Sequence, residues 1–326
     1  MTLTQLRAFV AVATTGSVRG AAERLFVSQP AVSAAVAALQ RELAVPLITR
    51  QGRGVQLTAS GQVFAGYARR LLGLLDEAKD ATLGQLHPER GRVRLAAVTT
   101  AGEHVLPRFL ASFRARYPDA GVSLDVGNRA RVWDLLEHRE VDLAIGGRPP
   151  GSGRFTNLAS RPNVLVLVAA ADHRDPAPEG RRPVSVERVG SEVLLLREAG
   201  SGTRSTAEEL LDELGISPPT LNLGSNGSIR ESVLVGLGIT LISRDAVARE
   251  LDDGMLEEWT CSSLPRRRAW HVVSRAGDEL APTARLFLSH LVRPPESADE
   301  DRFRLADGEV PLPSPDLGTL TSVAED

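Results

Sequence analysis

Apolar positions recur at helical spacing three times within the first sixty residues, each run closed by a break. Leu3, Leu6, Phe9, Val10 and Ala13 share one face, and Gly16 stops the pattern just before Ser17, a residue suited to capping the next helix. Val18, Ala21, Ala22 and Leu25 make a second face, on which the Ala21-Ala22 pair lets a neighbouring helix approach closely. Phe26-Val27 forms a turn. Ser28 is placed to accept a backbone N–H at the start of a third helix, where Pro30 is tolerated because first-turn amides lack an intrahelical partner. Val32, Val36, Leu39 and Leu43 then form the buried stripe, leaving Gln29, Ser33, Gln40 and Arg41 for the other faces. After Pro46, residues 47–50 and 55–57 read as strands joined by Gln51-Gly52-Arg53-Gly54.

Three small helices followed by a hairpin predict a mainly-α winged helix-turn-helix over residues 1–60. Local charge agrees: Arg7, Arg19, Arg24, Arg41, Arg50 and Arg53 face only Glu23 and Glu42, a field suited to neutralising phosphates. Short, uncharged side chains near the start of the third helix are of the kind that enters a major groove. The same elements also build protein-interaction modules. Agreement of cap, turn and wing signals favours duplex DNA.

The stretch LTQLRAFVAVATTGSVRGAAERLFVSQPAVSAAVAALQRELAVPLITRQGRGVQLTASG resembles the LysR-type transcriptional regulators, above all at Ala21-Ala22-Glu23-Arg24-Leu25, Ser28-Gln29-Pro30-Ala31-Val32-Ser33 and Leu57-Thr58 with Gly61. The chain departs from the family at Ala34-Ala35, where members carry a long polar or basic residue. The resemblance implies DNA contacts from Ser28, Gln29, Pro30 and Ser33, with Arg50 and Arg53 on the backbone. It also implies promoter DNA, a small effector and further copies of the chain as partners, forming a homodimer and then a homotetramer, with RNA polymerase as a further partner.

Thr58 can cap a helix that continues past Phe64, Ala68, Leu71, Leu75, Ala78 and Thr82 at near-heptad spacing. Nothing obvious in cis covers that seam, so residues 61–90 read as a linker that pairs with a second subunit.

From Arg92 onward the pattern becomes α/β. Strands at 93–98, 122–126 and 141–145 alternate with helices at 105–117 and 128–137, and Thr99-Thr100-Ala101-Gly102 reads as a polar loop. The order returns with strands at 193–196, 221–223 and 238–242, helices at 205–214 and 229–235, and loops at 198–204 and 224–227. Residues 164–169 and 270–273 are candidates for strands crossing between two lobes. The expected architecture is a two-lobed α/β domain over 91–293, similar to periplasmic solute-binding folds and to LysR effector domains. Lobe I takes about 91–163 and 268–293, and lobe II about 164–267.

Such folds bind ligands outside the carboxyl ends of their strands. Thr99, Thr100, Ser201, Gly202 and Thr203 offer hydroxyls and amides at helix N-termini, Arg204 adds a forked cation, and Ser225 and Asn226 are placed to complete a cage. These residues predict a carboxylated or phosphorylated metabolite. Each has a plainer role available: Thr99 and Thr100 as caps, Arg204 as a partner of Glu198 or Glu208. The segment from Leu194 to Arg204, LLLREAGSGTR, resembles regulators of carbon-fixation or sulfur-assimilation operons.

Composition removes other classes. One cysteine, Cys261, excludes an intramolecular disulfide and a cysteine-based zinc cluster. His87, His104, His138, His173, His271 and His290 lack metal spacing, and no hydrolase elbow, Walker loop or dinucleotide fingerprint occurs, so neither a cofactor nor catalysis is expected. His104 is the histidine expected closest to the cleft. An enzyme with an accessory helical module and a secreted solute-binding protein are the alternatives; the second lacks a signal-type apolar segment, and the chain reads as cytoplasmic. The net charge of −3 conceals a split, because nine acids lie in residues 294–326 against only Arg302 and Arg304. That proline-rich tail lacks an apolar pattern and reads as disordered.

Overall fold

The computed structural model describes residues 1–52, 54–171, 181–292 and 302–306. The first three helices are α1 (Leu3–Thr15), α2 (Val18–Leu25) and α3 (Gln29–Leu43). Their ends are set by local chemistry. Thr2 and Gln5 form a reciprocal capping box on α1, Gly16 ends it at φ +63°, and Ser17 and Ser28 cap α2 and α3. Leu6, Phe9, Val12, Ala21, Ala22, Val32, Val36 and Leu39 fill the space between them. Leu3, assigned to that face by periodicity, is instead 48% exposed at the first position of α1.

Strands β1 (Ile48–Gln51) and β2 (Gly54–Leu57) form the antiparallel wing. Two attachments hold it. The Gln40 side-chain oxygen accepts from Leu47 N at 2.8 Å and Ile48 N at 3.2 Å, which commits that oxygen to the wing. Val55 N donates to Gly16 O at 2.9 Å.

Helix α4 (Ala59–Gly84) starts at the Thr58 cap. Gly61 is required there: a Cβ would lie 1.9 Å from Leu47 O. The seam expected for pairing is partly used in cis, because Phe64 packs tilted against Phe9 with ring centroids 5.4 Å apart and Ala68 is fully buried. Lobe I also grips this helix. Arg69 pairs with Asp134 (2.6 Å) and Glu140, while Glu77 receives both Arg139 (2.8 Å) and Arg275 (3.0 Å). Val63, Tyr67, Leu71 and Leu74, at 64, 60, 49 and 49% exposure, lie on one remaining helical face.

The α/β region runs β3 (Arg92–Val98), α5 (Leu106–Arg116), β4 (Gly121–Gly127), α6 (Arg129–Glu137), β5 (Leu143–Gly146), β6 (Phe155–Ala170), β7 (Arg181–Pro183), α7 (Val186–Ser191), β8 (Leu194–Leu196), α8 (Gly202–Leu214), β9 (Thr220–Asn222), α9 (Asn226–Leu234), β10 (Thr240–Ser243), α10 (Ala248–Asp252), β11 (Leu256–Thr260), β12 (Arg266–Arg275), α11 (Pro282–Val292) and β13 (Arg304–Leu305). One path of hydrogen-bonded strands, β4-β3-β5-β12-β6-β11-β7, passes through both lobes. The crossing segments expected at 164–169 and 270–273 are parts of much longer strands, β6 and β12, antiparallel from Arg266↔Leu165 to Arg275↔Phe155. Lobe I packs Leu95, Leu106, Phe109, Phe113, Leu143 and Phe287 in its core. Lobe II packs Leu165, Leu167, Leu194, Leu210 and Trp259 on one side of its strands, with Val166, Ile229 and Val233 in a second cluster.

Two expectations change here. The polar loop at 99–102 does not exist, because Thr99 and Thr100 are already helical and a wide turn at Ala101–Val105 leads into α5. The tail expected to be disordered contains an ordered strand. Arg304 and Leu305 pair with Ser160 and Ala159 on β6, and Phe303, 1% exposed, sits edge-on to Phe109 at 5.7 Å. An unpaired strand edge and an apolar hollow beside α5 supply partners that the tail's own composition does not reveal. The rest of that expectation, at 294–301 and 307–326, lies outside the described residues, as does Arg53. Among the described residues no helix is long and apolar enough to cross a membrane.

Candidate functional site

Two surfaces collect the candidate residues. On α3, Gln29, Pro30 and Ser33 are exposed side by side with Ala34 and Ala37, giving a shallow, uncharged face beside the wing. Ser28 is exposed too, but its hydroxyl accepts from Ala31 N at 3.4 Å as the helix cap. Arg50 is exposed on β1, and Arg7, Arg24 and Arg41 are exposed on the three helices. The face therefore joins neutral groups able to read base edges with flanking guanidiniums able to hold phosphates.

The second surface is a cavity of about 610 Å³ between the lobes. Lobe I contributes Thr99, Thr100, Asn128, Arg129 and Arg148; the crossing strands contribute Asn163, Arg268, Trp270 and His271; lobe II contributes Arg197, Glu198 and residues 200–203. Strand ends deliver most of them. Thr99 follows β3, Arg148 follows β5 by two residues, Arg197 follows β8 directly, and Ser201 precedes α8.

Of the residues picked from sequence, Thr99, Thr100, Ser201, Gly202 and Thr203 line this cavity. Thr100 is buried and its hydroxyl accepts from Asn226 Nδ2 at 2.9 Å, a bond between the lobes. Ser201 is 8% exposed, does not cap α8, and makes no side-chain hydrogen bond among the described residues.

Three picks move. Arg204 turns away from the cleft, pairing with Glu208 at 2.8 Å and donating to Asn222 Oδ1 at 2.9 Å. The reason is the helix start: α8 begins at Gly202 rather than Ser205, which sets Arg204 one turn before Glu208 on an outer face. Ser225 caps α9, accepting from Ser228 N at 3.1 Å, and does not line the cavity. Asn226 is 2% exposed and acts behind the wall, joining Thr100 to the Arg197 guanidinium.

Arg197 takes the place expected for Arg204. It is 6% exposed, and its fork donates to Glu198 at 2.7 and 2.9 Å. Burial opposes ionisation of Glu198, yet the Arg197 hydrogen bonds and charge hold its carboxyl below the usual range. His104 does not line the cavity, but His271 does, with Nδ1 3.2 Å from Asn157 Oδ1. Burial, and then the Arg148 charge, keep its imidazole below the ordinary histidine range. Arg197 and Arg148 had a legible signal, since each lies just past the carboxyl end of a strand. His271 sits on a crossing strand and had none. Behind the floor, Asp245 accepts from Arg161 at 2.8 and 2.9 Å and from Trp270 Nε1 at 2.9 Å. Among the described residues no group of three metal-ligating side chains forms.

Comparisons with known proteins bear on both surfaces. Residues 3–62 match the family model "Bacterial regulatory helix-turn-helix protein, lysR family", and residues 87–293 match "LysR substrate binding domain". The chain is 33% identical over 291 residues to the HTH-type transcriptional activator CmpR of Synechocystis sp., covering 89% of this chain and 94% of that protein. It is 34% identical over 288 residues to the RuBisCO operon transcriptional regulator of Allochromatium vinosum, covering 88% and 94%. Among solved structures, the CcmR regulatory domain of Synechocystis in complex with 2-PG is similar, with 30% identity, a TM-score of 0.55, and coverage of 61% of this chain and 94% of that one.

Proposed function

The chain belongs to the LysR family of transcriptional regulators, and from that premise we propose that it binds promoter DNA under the control of a small anion held between its effector lobes. The family is one of regulators rather than enzymes, and its effector-binding domain is the segment that contains the cleft.

The observation that carries the anion reading is Ser201. Ser201 is 8% exposed and lines the cavity at the N-terminus of a thirteen-residue helix, and its hydroxyl, which makes no side-chain hydrogen bond among the described residues, is free to donate to a bound acceptor. Free amides of the first turn, the Thr100 hydroxyl and the Arg197 guanidinium surround the same space, and Arg129 and Arg148 stand at its lobe I wall. Carboxylate or phosphate oxygens fit that donor set. The 2-PG complex of the related regulatory domain points the same way. The relative named for the RuBisCO operon supports a carbon-fixation operon as the target.

At the other end, Gln29, Pro30 and Ser33 read bases while Arg50 and Arg53 hold phosphates. Dimerisation through the open face of α4 at Val63, Tyr67, Leu71 and Leu74 presents two such units to the duplex, and pairing of dimers into a tetramer adds two more. Closure of the lobes on the anion shifts how effector domains pack, and so the angle between DNA-binding pairs.

A fluorescence anisotropy titration on the promoter region beside the gene tests this, with and without 2-PG or inorganic phosphate. Salt-sensitive binding whose affinity or DNase footprint changes with anion is expected. Absence of DNA binding at low salt refutes the regulator reading for this promoter; binding indifferent to every anion tested refutes the cleft assignment.

A further inference from the structure

Within the cleft, the most buried cation of the wall already has a partner. Arg197 is 6% exposed, and its Nε and Nη2 donate side-on to Glu198 Oε2 (2.7 Å) and Oε1 (2.9 Å), the two-point geometry by which guanidinium holds a free carboxylate or phosphate. The two partners are held unequally. The Arg197 guanidinium also donates to Asn226, which is itself tied to Thr100, and the Arg197 carbonyl accepts from Arg204 Nη1 at 3.2 Å. Among the described residues the Glu198 side chain has only Arg197 and its own backbone N–H as partners, and it is 34% exposed. With about a third of its side chain exposed, the glutamate can rotate towards solvent while the buried arginine stays.

We propose that Glu198 is a resident competitor: its carboxylate fills the Arg197 fork while the cleft is empty and must leave before an anion seated at Ser201 and the α8 N-terminus can use that cation. The proposal rests on the anion reading of the cleft. Its consequence is a threshold for binding. Removing the Glu198 charge leaves a buried guanidinium unneutralised in the empty protein, which costs stability, and spares an incoming anion both the displacement and the repulsion. Anions that bring two negative charges, such as phosphate above neutral pH, displace the glutamate more readily than a monocarboxylate does. Glu198 therefore selects by charge as well as affinity.

The test is isothermal titration of the full-length chain with inorganic phosphate and with acetate at pH 8, together with thermal melting, for the wild type, E198Q and E198D. E198Q is expected to melt lower, to bind phosphate about tenfold more tightly, and to gain proportionally more for acetate, while E198D, whose shorter carboxylate reaches the fork less well, shifts in the same direction by less. If Glu198 merely positions Arg197, E198Q binds phosphate equally or more weakly, and the proposal is overturned. Wild-type phosphate binding that E198Q leaves unaltered sinks this inference alone. If neither wild type nor E198Q takes up an anion, the cleft reading falls and this inference falls with it. Should E198Q fail to melt cooperatively, E198D decides: its shorter carboxylate reaches the fork less well, so phosphate binding no tighter than wild type together with a lower melting point goes against displacement.

Discussion

Replacing Phe303 by alanine probes the segment that departs furthest from expectation. The ring is 1% exposed, rests edge-on to Phe109 at 5.7 Å, and belongs to the cluster that includes Ala159 and Leu158, while Ala306 N donates to Leu158 O at 3.0 Å. Truncating a fully buried phenylalanine costs about 3–5 kcal/mol when the site cannot collapse. A terminal segment sets a ceiling on that loss. Once F303A weakens docking beyond the free energy that holds residues 302–306 in place, the segment detaches and no further stability is lost. The loss from F303A therefore cannot exceed that from truncation after residue 293. Burying the ring contributes about 1.5–3 kcal/mol and ordering each of the five residues costs about 1–2 kcal/mol, so the ceiling falls well below the full 3–5 kcal/mol or so of an internal truncation. The assay is urea denaturation followed by lobe I tryptophan emission, with hydrogen exchange read in residues 158–160. F303A is expected to approach the truncated chain in midpoint and to open the β6 edge to exchange. A midpoint and an exchange profile identical to wild type would refute the docking.

Further expectations follow from the same contacts. Gly61→Ala drives a methyl into Leu47 O, so the wing detaches from α4 and DNA affinity falls at least tenfold, with circular dichroism of the helices largely retained; near-native DNA binding would contradict the geometry. Arg50→Ala removes the proposed phosphate contact from every subunit on the duplex and should lower the slope of log K against log salt by about 0.9 per DNA-bound subunit without changing sequence preference; an unaltered slope refutes the contact. Tyr67→Asp combined with Leu71→Asp places charge on the open face of α4 and should shift sedimentation towards monomer, whereas an unchanged oligomer moves the interface elsewhere. Burial works against the Asp245 charge, but Arg161 and Trp270 hold its carboxyl below the ordinary range, so the stability it contributes is present above the unfolded value of about 3.9 and is lost as pH falls through the folded one. The stability difference between wild type and D245N should accordingly shrink on acidification in that window, and a difference that grows there would reverse the assignment.

The starts of α2, α3 and α4, the strand runs and the exposed polar face of α3 were legible in the chain because they rest on local chemistry. Ser17, Ser28 and Thr58 cap by reaching three residues ahead, and an apolar stripe such as Val32, Val36 and Leu39 needs only the 3.6-residue period to find its core. The order of strands and helices also implied two lobes with ligand-facing loops, and Thr100 and Ser201 came from that rule.

Tertiary packing decided what periodicity leaves open. Each residue in a helix turns the side chain by about a hundred degrees, so a start at Gly202 instead of Ser205 sends Arg204 out to Glu208, and the cleft takes its buried cation from the strand end at Arg197. The stripe on α4 is similarly ambiguous, since Phe64 and Ala68 went to α1 and left Val63, Tyr67, Leu71 and Leu74 open. Gln40 was drawn to the wing amides, and Phe303 found a hollow beside Phe109 that no nearby residue in sequence announces. In each case the partner is distant along the chain, and the pattern around a residue records that a face is apolar or charged without recording what will meet it.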